Sequence, residues 1–265
     1  FAGRTLGSLS VTHDEHYRAP FAPLLPGVTF VDPGSPAALV AAVTERTAAI
    51  IAEPIQGEGG IRPLTPECAA AINDACARTG ALYIADEVQT GLGRTGIPFY
   101  FQALDLRPDL ISVGKALGGG VPIGAALVSE RVSQMISAGD HGSTYGGNLL
   151  GTRAAAFFLA QLMEHGLIEH VKAMGLHLER RLRTLALKYP AITEVRGAGL
   201  MRGIQLGSDA MPIVDAAREG GLLVNRTDEK VVRLLPPLTI EATEIDGALE
   251  ILDAVFAKVS QEVQV

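Results

Sequence analysis

Leu82-Tyr-Ile-Ala-Asp86-Glu-Val-Gln89 and Leu110-Ile-Ser-Val-Gly-Lys115-Ala-Leu-Gly-Gly-Gly120 decide the fold. Each opens as a short apolar run rich in Ile, Val, Leu and Tyr, as strands buried in a parallel sheet do. Each then stops at an ionisable residue, Asp86 in the first and Lys115 in the second. Upstream, Ala48-Ala-Ile-Ile-Ala52 stops at Glu53 in the same way. Open α/β sheets bind ligands just outside the carboxyl ends of their strands. Two acids and a lysine delivered to one edge predict a site there.

An amine at such an edge, among apolar and glycine residues, is partly desolvated. Desolvation disfavours the ammonium, which suits Lys115 to Schiff-base chemistry. A buried carboxylate such as Asp86 can keep a pyridine nitrogen protonated, making pyridoxal 5'-phosphate (PLP) an electron sink. Taken singly, an Asp at a strand end reads as a cap and a Lys as a surface charge. Their ordered combination argues for the site.

Four blocks carry a resemblance: Glu53-Pro-Ile-Gln-Gly-Glu58-Gly-Gly, Asp86-Glu-Val-Gln89-Thr-Gly-Leu-Gly-Arg-Thr-Gly96, Lys115-Ala-Leu-Gly-Gly-Gly and His141-Gly-Ser-Thr144-Tyr-Gly-Gly-Asn. In this order they resemble the class III (ω-) aminotransferases, most closely the acetylornithine aminotransferase branch. The resemblance implies an α/β chain of fold type I, with a mostly parallel central sheet flanked by helices. Residues 1–165 would form the large cofactor-binding domain and residues 166–265 a small C-terminal α+β domain. It also implies roles. Lys115 would hold PLP and shuttle a proton, Asp86 would keep the ring nitrogen protonated, and Glu87 would join the cofactor set. Gln89 would bond the phenolic oxygen, and Val88 would pack opposite Phe1. Thr144 would donate to the cofactor phosphate of a second subunit in a homodimer with shared sites. Arg4, Glu58, Ser143 and Arg233 would line the substrate site, with Arg233 and Glu58 acting as a gate for the second carboxylate of glutamate. The reaction implied is exchange of an ω-amine, N-acetylornithine or a similar donor, with 2-oxoglutarate in arginine biosynthesis.

Phe1-Ala2-Gly3-Arg4-Thr5 is similar to the family's Phe-His-Gly-Arg-Thr block, with Ala2 in the His position. The family's phosphate-cradling Ser-Gly turn would lie before Phe1, so a chain starting there is expected to retain PLP weakly. Two other classes stay open at this point: a non-catalytic dimerisation product, and a nicotinamide oxidoreductase. The second rests on Gly91-Leu-Gly93-Arg-Thr-Gly96, a literal GxGxxG. A dinucleotide fingerprint turns directly from strand into helix. Here Glu87-Val-Gln-Thr intervenes and Pro98 follows. The glycines after Lys115 are no Walker A either, since they follow the lysine with no adjacent Ser or Thr.

Composition bounds the rest. The chain has 265 residues, 48% of them apolar, and a net charge of −7; its mean hydropathy is +0.26. A sizeable core needs no disulfide, and the acidic balance without Lys/Arg clusters argues against nucleic acid. Cys68 and Cys76 form neither CxxC nor a disulfide framework, which suits a reducing cytoplasm. No apolar run reaches membrane-spanning length, and no basic-then-apolar leader is present. His13 and His16 lack a third ligand at metal spacing, so no metal is expected.

Along the chain, strands are expected at Val28–Val31, Val121–Leu127, Leu222–Asn225 and Val231–Leu235, with two more between Ile192 and Leu206. Helices are expected from Thr65 to Arg78, Leu149 to Glu164, Leu167 to Tyr189, Met211 to Glu219 and Thr243 to Ser260.

Overall fold

The computed structural model describes residues 3–262, with side chains through Val259. Phe1, expected to cover the cofactor ring, lies outside the described residues. In chain order the elements are α1 (Leu6–Ser10), α2 (Glu15–Arg18), α3 (Pro36–Ala42), β1 (Ala49–Ala52), β2 (Ile55–Gln56), β3 (Arg62–Pro63), α4 (Pro66–Thr79), β4 (Leu82–Asp86), β5 (Leu110–Val113) and β6 (Ala125–Val128). There follow α5 (Glu130–Ser133), α6 (Leu149–Met163), α7 (Leu167–Lys188), β7 (Ile192–Ala198), β8 (Met201–Leu206), α8 (Met211–Glu219), β9 (Asn225–Asp228), β10 (Val231–Leu234) and α9 (Ala242–Glu262).

The first sheet runs β1-β4-β5-β6, with β1, β4 and β5 parallel and β6 antiparallel to β5. The crossover from β1 to β4 passes through the β2–β3 hairpin and α4. Local chemistry sets the ends of α4. The Thr65 hydroxyl accepts from the Cys68 amide, Pro66 takes the first turn, and Gly80 closes the helix at φ 77°. Register fixes the edge: Ala52 pairs with Ala85 and Asp86 with Ser112. Glu53, Asp86 and the residues after Val113 therefore leave the sheet at one end.

The second sheet, β7-β8-β10-β9, is antiparallel throughout. Its core of Leu178, Leu182, Leu200, Ile204, Val232, Leu252 and Phe256 packs it against α7, α8 and α9. A separate core centred on Ile72, Tyr83 and Ala85 packs α4 on the first sheet.

Three expected strands come out differently. Val28–Val31 pairs with no strand; Phe30 instead meets the His13 ring at 5.4 Å and the Arg18 guanidinium at 4.6 Å. The strand expected at Val121–Leu127 as a buried element is Ala125–Val128, at the end of the sheet beside β5, and all four of its residues are exposed. Pairing expected from Leu222 begins only at Asn225. The Leu222 amide is engaged in closing α8, donating to Ala217 O at 2.8 Å past Gly221 at φ 87°.

The GxGxxG stretch precedes no α-helix. It is a packed turn, in which an added Cβ on Gly93 would lie 2.3 Å from Leu162 Cδ1 and one on Gly96 3.2 Å from Lys172 Cα. Its glycines serve close approach of backbone to α6 and α7, and the oxidoreductase reading has no phosphate-facing helix to rest on.

Candidate active site

Asp86 is 5% exposed at the end of β4. Its Oδ1 accepts from Ser112 Oγ on the neighbouring strand at 3.0 Å and from the Val88 amide at 3.2 Å. Both of these bonds fall on one oxygen, leaving Oδ2 as the acceptor for an incoming donor. Burial, with the Glu53 charge adding to it, pushes the Asp86 carboxyl above its ordinary range. A cationic N–H beside it is the partner that would bring it back.

Lys115 follows β5 through Gly114 and opens a tight 3-10 turn, Lys115–Gly118. Its φ of 39° is a left-handed backbone that a lysine rarely adopts. Such strain persists only where the surroundings enforce it. The Leu117 amide closes the turn on Gly114 O at 2.9 Å, and Leu117 is buried. The lysine side chain remains open to solvent, as attack on a carbonyl requires. The protein mass around the amine nevertheless lowers its pKa. Desolvation leads, Arg233 adds to it, and Glu58, Glu53 and Asp86 oppose it. Those four groups are thus the leading charges that act on the amine.

The β2–β3 loop brings Glu58 into the group. Glu58 Oε1 receives Arg233 Nη1 at 2.7 Å and Gln89 Nε2 at 3.3 Å. Gln89 lies directly over Gly57, where an added Cβ would meet its amide at 2.4 Å. Arg233, on β10, is 11% exposed and Glu58 47%. Burial raises the Glu58 pKa, but the hydrogen bond and charge of Arg233 outweigh it and hold the carboxyl below its ordinary value. Arg233 Nε also reaches Asn225 Oδ1 at 3.3 Å. Val88 stands beside Gly114, 3.6 Å from where a Cβ there would sit.

Lys115, Asp86, Val88, Gln89, Glu58 and Arg233 therefore occupy one neighbourhood. Glu87 departs from the expected set. Its carboxylate is fully buried and engaged by the Thr90 hydroxyl and the Phe101 amide, so its side chain braces the turn and cannot reach a ligand. Ser143 and Thr144 lie on an exposed loop, where Gly146 N closes a turn on Ser143 O at 3.3 Å. No side-chain hydrogen bond joins either residue to this group among the described residues. Arg4 is exposed, its guanidinium 4.3 Å from the Tyr17 ring centroid. An open groove of about 1060 Å³ runs past Lys115 and Gly118 between Phe157, Phe158, His170 and Leu238. Ser112 was missed from the sequence, although a serine inside the apolar run Leu-Ile-Ser-Val was a readable signal.

The donor set fits a pyridine aldehyde: an amine of lowered pKa for the aldehyde and a buried carboxylate for a protonated ring nitrogen. It has no metal character. Among the described residues no group of three His, Cys, Asp or Glu is placed to hold a metal ion. No helix among them is long and apolar enough to cross a membrane.

Comparison with known proteins agrees with this chemistry. The sequence model of the family "Aminotransferase class-III" matches residues 1–256. An acetylornithine aminotransferase of Methanothermobacter thermautotrophicus is 43% identical over 257 residues, 97% of this chain and 66% of that relative. One from Archaeoglobus fulgidus is 44% identical over 252 residues, 95% of this chain and 65% of the relative. This chain thus spans a little under two thirds of both relatives. Among solved structures, the ornithine aminotransferase of Toxoplasma gondii superposes with a TM-score of 0.93 at 32% identity, covering 100% of this chain and 64% of that one. An amine transaminase from an uncultivated Pseudomonas species, solved in a PLP-bound form, gives 0.88 at 29%, covering 97% of this chain and 67% of that one.

Proposed function

Because this chain belongs to the aminotransferase class-III family, we propose that it works with PLP to move an ω-amino group from N-acetylornithine, or a closely similar amine, to 2-oxoglutarate. The carrying observation is the Lys115 amine, of lowered pKa, at the same sheet edge as the buried Asp86 carboxylate. The acetylated donor is favoured because the relatives so named are 43% and 44% identical to this chain.

When bound, PLP supplies the carbonyl for amine exchange and an electron sink for the bond broken at the amine-bearing carbon. Lys115 would hold it through its amine and, once displaced by the substrate amine, would be the base placed to take and return a proton. Asp86 Oδ2 would accept the ring N–H, with Ser112 and the Val88 amide fixing the orientation of the carboxylate. Val88 would pack on the ring, with Gln89 beside its oxygen. Arg233 would bind the far carboxylate of glutamate or 2-oxoglutarate, and Glu58 would neutralise Arg233 when the amine lacks one. Ser143, Thr144 and Arg4 would act at the rim, Thr144 toward the phosphate of a second subunit.

Homodimerisation is part of the proposal. Tyr145, Leu149 and Phe157, 80%, 88% and 65% exposed, offer the apolar surface for it. So are a division near residue 165 and a cytoplasmic location, which the unpaired Cys68 and Cys76 suit; a Neurospora crassa relative 43% identical is called mitochondrial.

The test is the visible spectrum with added PLP, before and after borohydride, followed by peptide mapping. The expected result is a reducible chromophore trapped on Lys115 and absent in Lys115→Ala. A protein that stays colourless with PLP, or that traps it equally well in Lys115→Ala, refutes the assignment.

A further inference from the structure

Glu58 rides on a loop, residues 57–61, whose backbone is gripped from outside by the C-terminal sheet. Thr227 Oγ1 on β9 donates to Gly57 O at 2.8 Å and is shared with Glu58 O at 3.1 Å. Arg196 Nε on β7 donates to Gly60 O at 2.8 Å, shared with Ile61 O at 3.1 Å. The Ile61 side chain is fully buried between two glycines. A Cβ added at Gly197 would approach it to 2.8 Å, and one at Gly203 to 3.0 Å. Ile61 takes φ 54°, a costly conformation for a β-branched residue that only over-determined surroundings sustain. The loop backbone is thereby pinned at Gly57, Glu58, Gly60 and Ile61, while the Glu58 side chain stays 47% exposed.

We propose that Thr227 and Arg196 are positioning residues. They clamp this loop to the C-terminal sheet, so that Glu58 leaves and regains Arg233 by rotating its side chain alone. The clamp then sets how strongly a dicarboxylate must compete for Arg233. A loop ordered in advance makes the Glu58–Arg233 pair cheap to form, and a loosened loop must be ordered each time. The inference rests on the pairing of Glu58 with Arg233 as a gate, as proposed above.

Thr227→Val keeps the shape of the side chain and removes the hydroxyl, and Thr227→Ser keeps the hydroxyl. In the full chain, amide hydrogen exchange over residues 54–64 reads the clamp, and calorimetric titration with glutarate reads the competition. Glutarate is a dicarboxylate with no amine or carbonyl to react. Thr227→Val is expected to exchange faster there and to bind glutarate about three- to tenfold more tightly, the effect of losing one neutral hydrogen bond. Thr227→Ser should restore both. Unchanged exchange in Thr227→Val overturns the clamp. Faster exchange with unchanged affinity, or no rescue by Ser, overturns its role in selectivity. Arg233→Ala separates the two levels. Parental glutarate affinity in that variant refutes the gate itself, whereas its loss alongside an inert Thr227→Val refutes only the clamp.

Discussion

Glu58→Gln removes one charge, keeps the side-chain shape, and should make the protein bind dicarboxylates more tightly. The Arg233 guanidinium is 11% exposed and holds Glu58 Oε1 at 2.7 Å. Its other hydrogen bonds, to Asn225 Oδ1 and Gly57 O, are both 3.3 Å long and to neutral groups. Glu58 is therefore the sole carboxylate on this cation among the described residues, and a dicarboxylate must displace it. A charge-assisted hydrogen bond contributes about 1.5–3 kcal/mol. Solvent reaches Glu58, so the lower end applies, because a half-exposed acid is rehydrated when it leaves. About 1.4 kcal/mol is a factor of ten. Glutarate, titrated calorimetrically near neutral pH, should thus bind Glu58→Gln about tenfold more tightly than the parent. Arg233→Ala should lose about thirtyfold or more. The pH dependence follows from the sign of the Glu58 shift. Its carboxyl is held below the ordinary 4.5, so its charge is complete near neutrality. The variant-to-parent ratio should stay level there and close only as pH falls through that lowered pKa. Protonation of glutarate itself cancels in this ratio. Equal or weaker binding by Glu58→Gln would show that the two carboxylates do not compete for Arg233.

Asp86→Asn should abolish transamination yet stabilise the cofactor-free protein near neutrality. The folded Asp86 pKa lies above the ordinary 3.8, so the native state binds the extra proton between those two values and stability falls as pH rises through them; chemical denaturation should show the gain vanishing below pH 3.8. Gly199→Ala should cost about 3 kcal/mol, because its Cβ would lie 2.4 Å from Thr95 C on a backbone at φ 53°. A parental melting temperature would sink that account.

The carboxyl-edge residues were legible because apolar runs announce buried strands and each run here ends in a charge. Asp86 and Lys115 need only that pattern and the rule that parallel strands share an edge. Glu58 and Arg233 came from the resemblance, since nothing local to Pro54-Ile-Gln-Gly-Glu58 says that a strand 175 positions away will meet it. Thr227 and Arg196 were invisible for the same reason. Each contacts the loop across 170 and 136 positions, and neither sits in a marked motif. Leu222 was misplaced because a helix-closing bond competes with strand pairing for the same amide. Glu87 looked like Asp86 in the sequence. Alternation along the chain turns its side chain into the protein, where burial raises its pKa against the pull of the two donors that occupy it.

The two halves of the proposed site stand on different sheets, so their spacing must be fixed elsewhere. The turn that imitates a dinucleotide fingerprint does this. Arg94, from its centre, donates to Pro236 O at 2.6 Å and Leu200 O at 3.3 Å, and burial lowers its pKa to about 10. Pro236 follows closely on Arg233 in the chain, while Arg94 follows closely on Asp86 and Gln89. Gly199 then lets the β7–β8 turn sit on Thr95, and Gly175 lets α7 close over the same point, 2.6 Å from Gly199 Cα to an added Cβ. Arg202 completes the seam by donating to Gly197 O and Gly199 O at 2.9 and 3.0 Å, and to Glu179 at 2.8 Å. Guanidiniums whose donors are matched to fixed carbonyls resist sliding more than an apolar contact of equal area would, since each slip strands a buried charge. The turn that suggested a nucleotide in the sequence thus holds the Arg233 sheet in register with the Lys115 edge through Arg94 and Thr95, while its glycines seat it against α6 and α7.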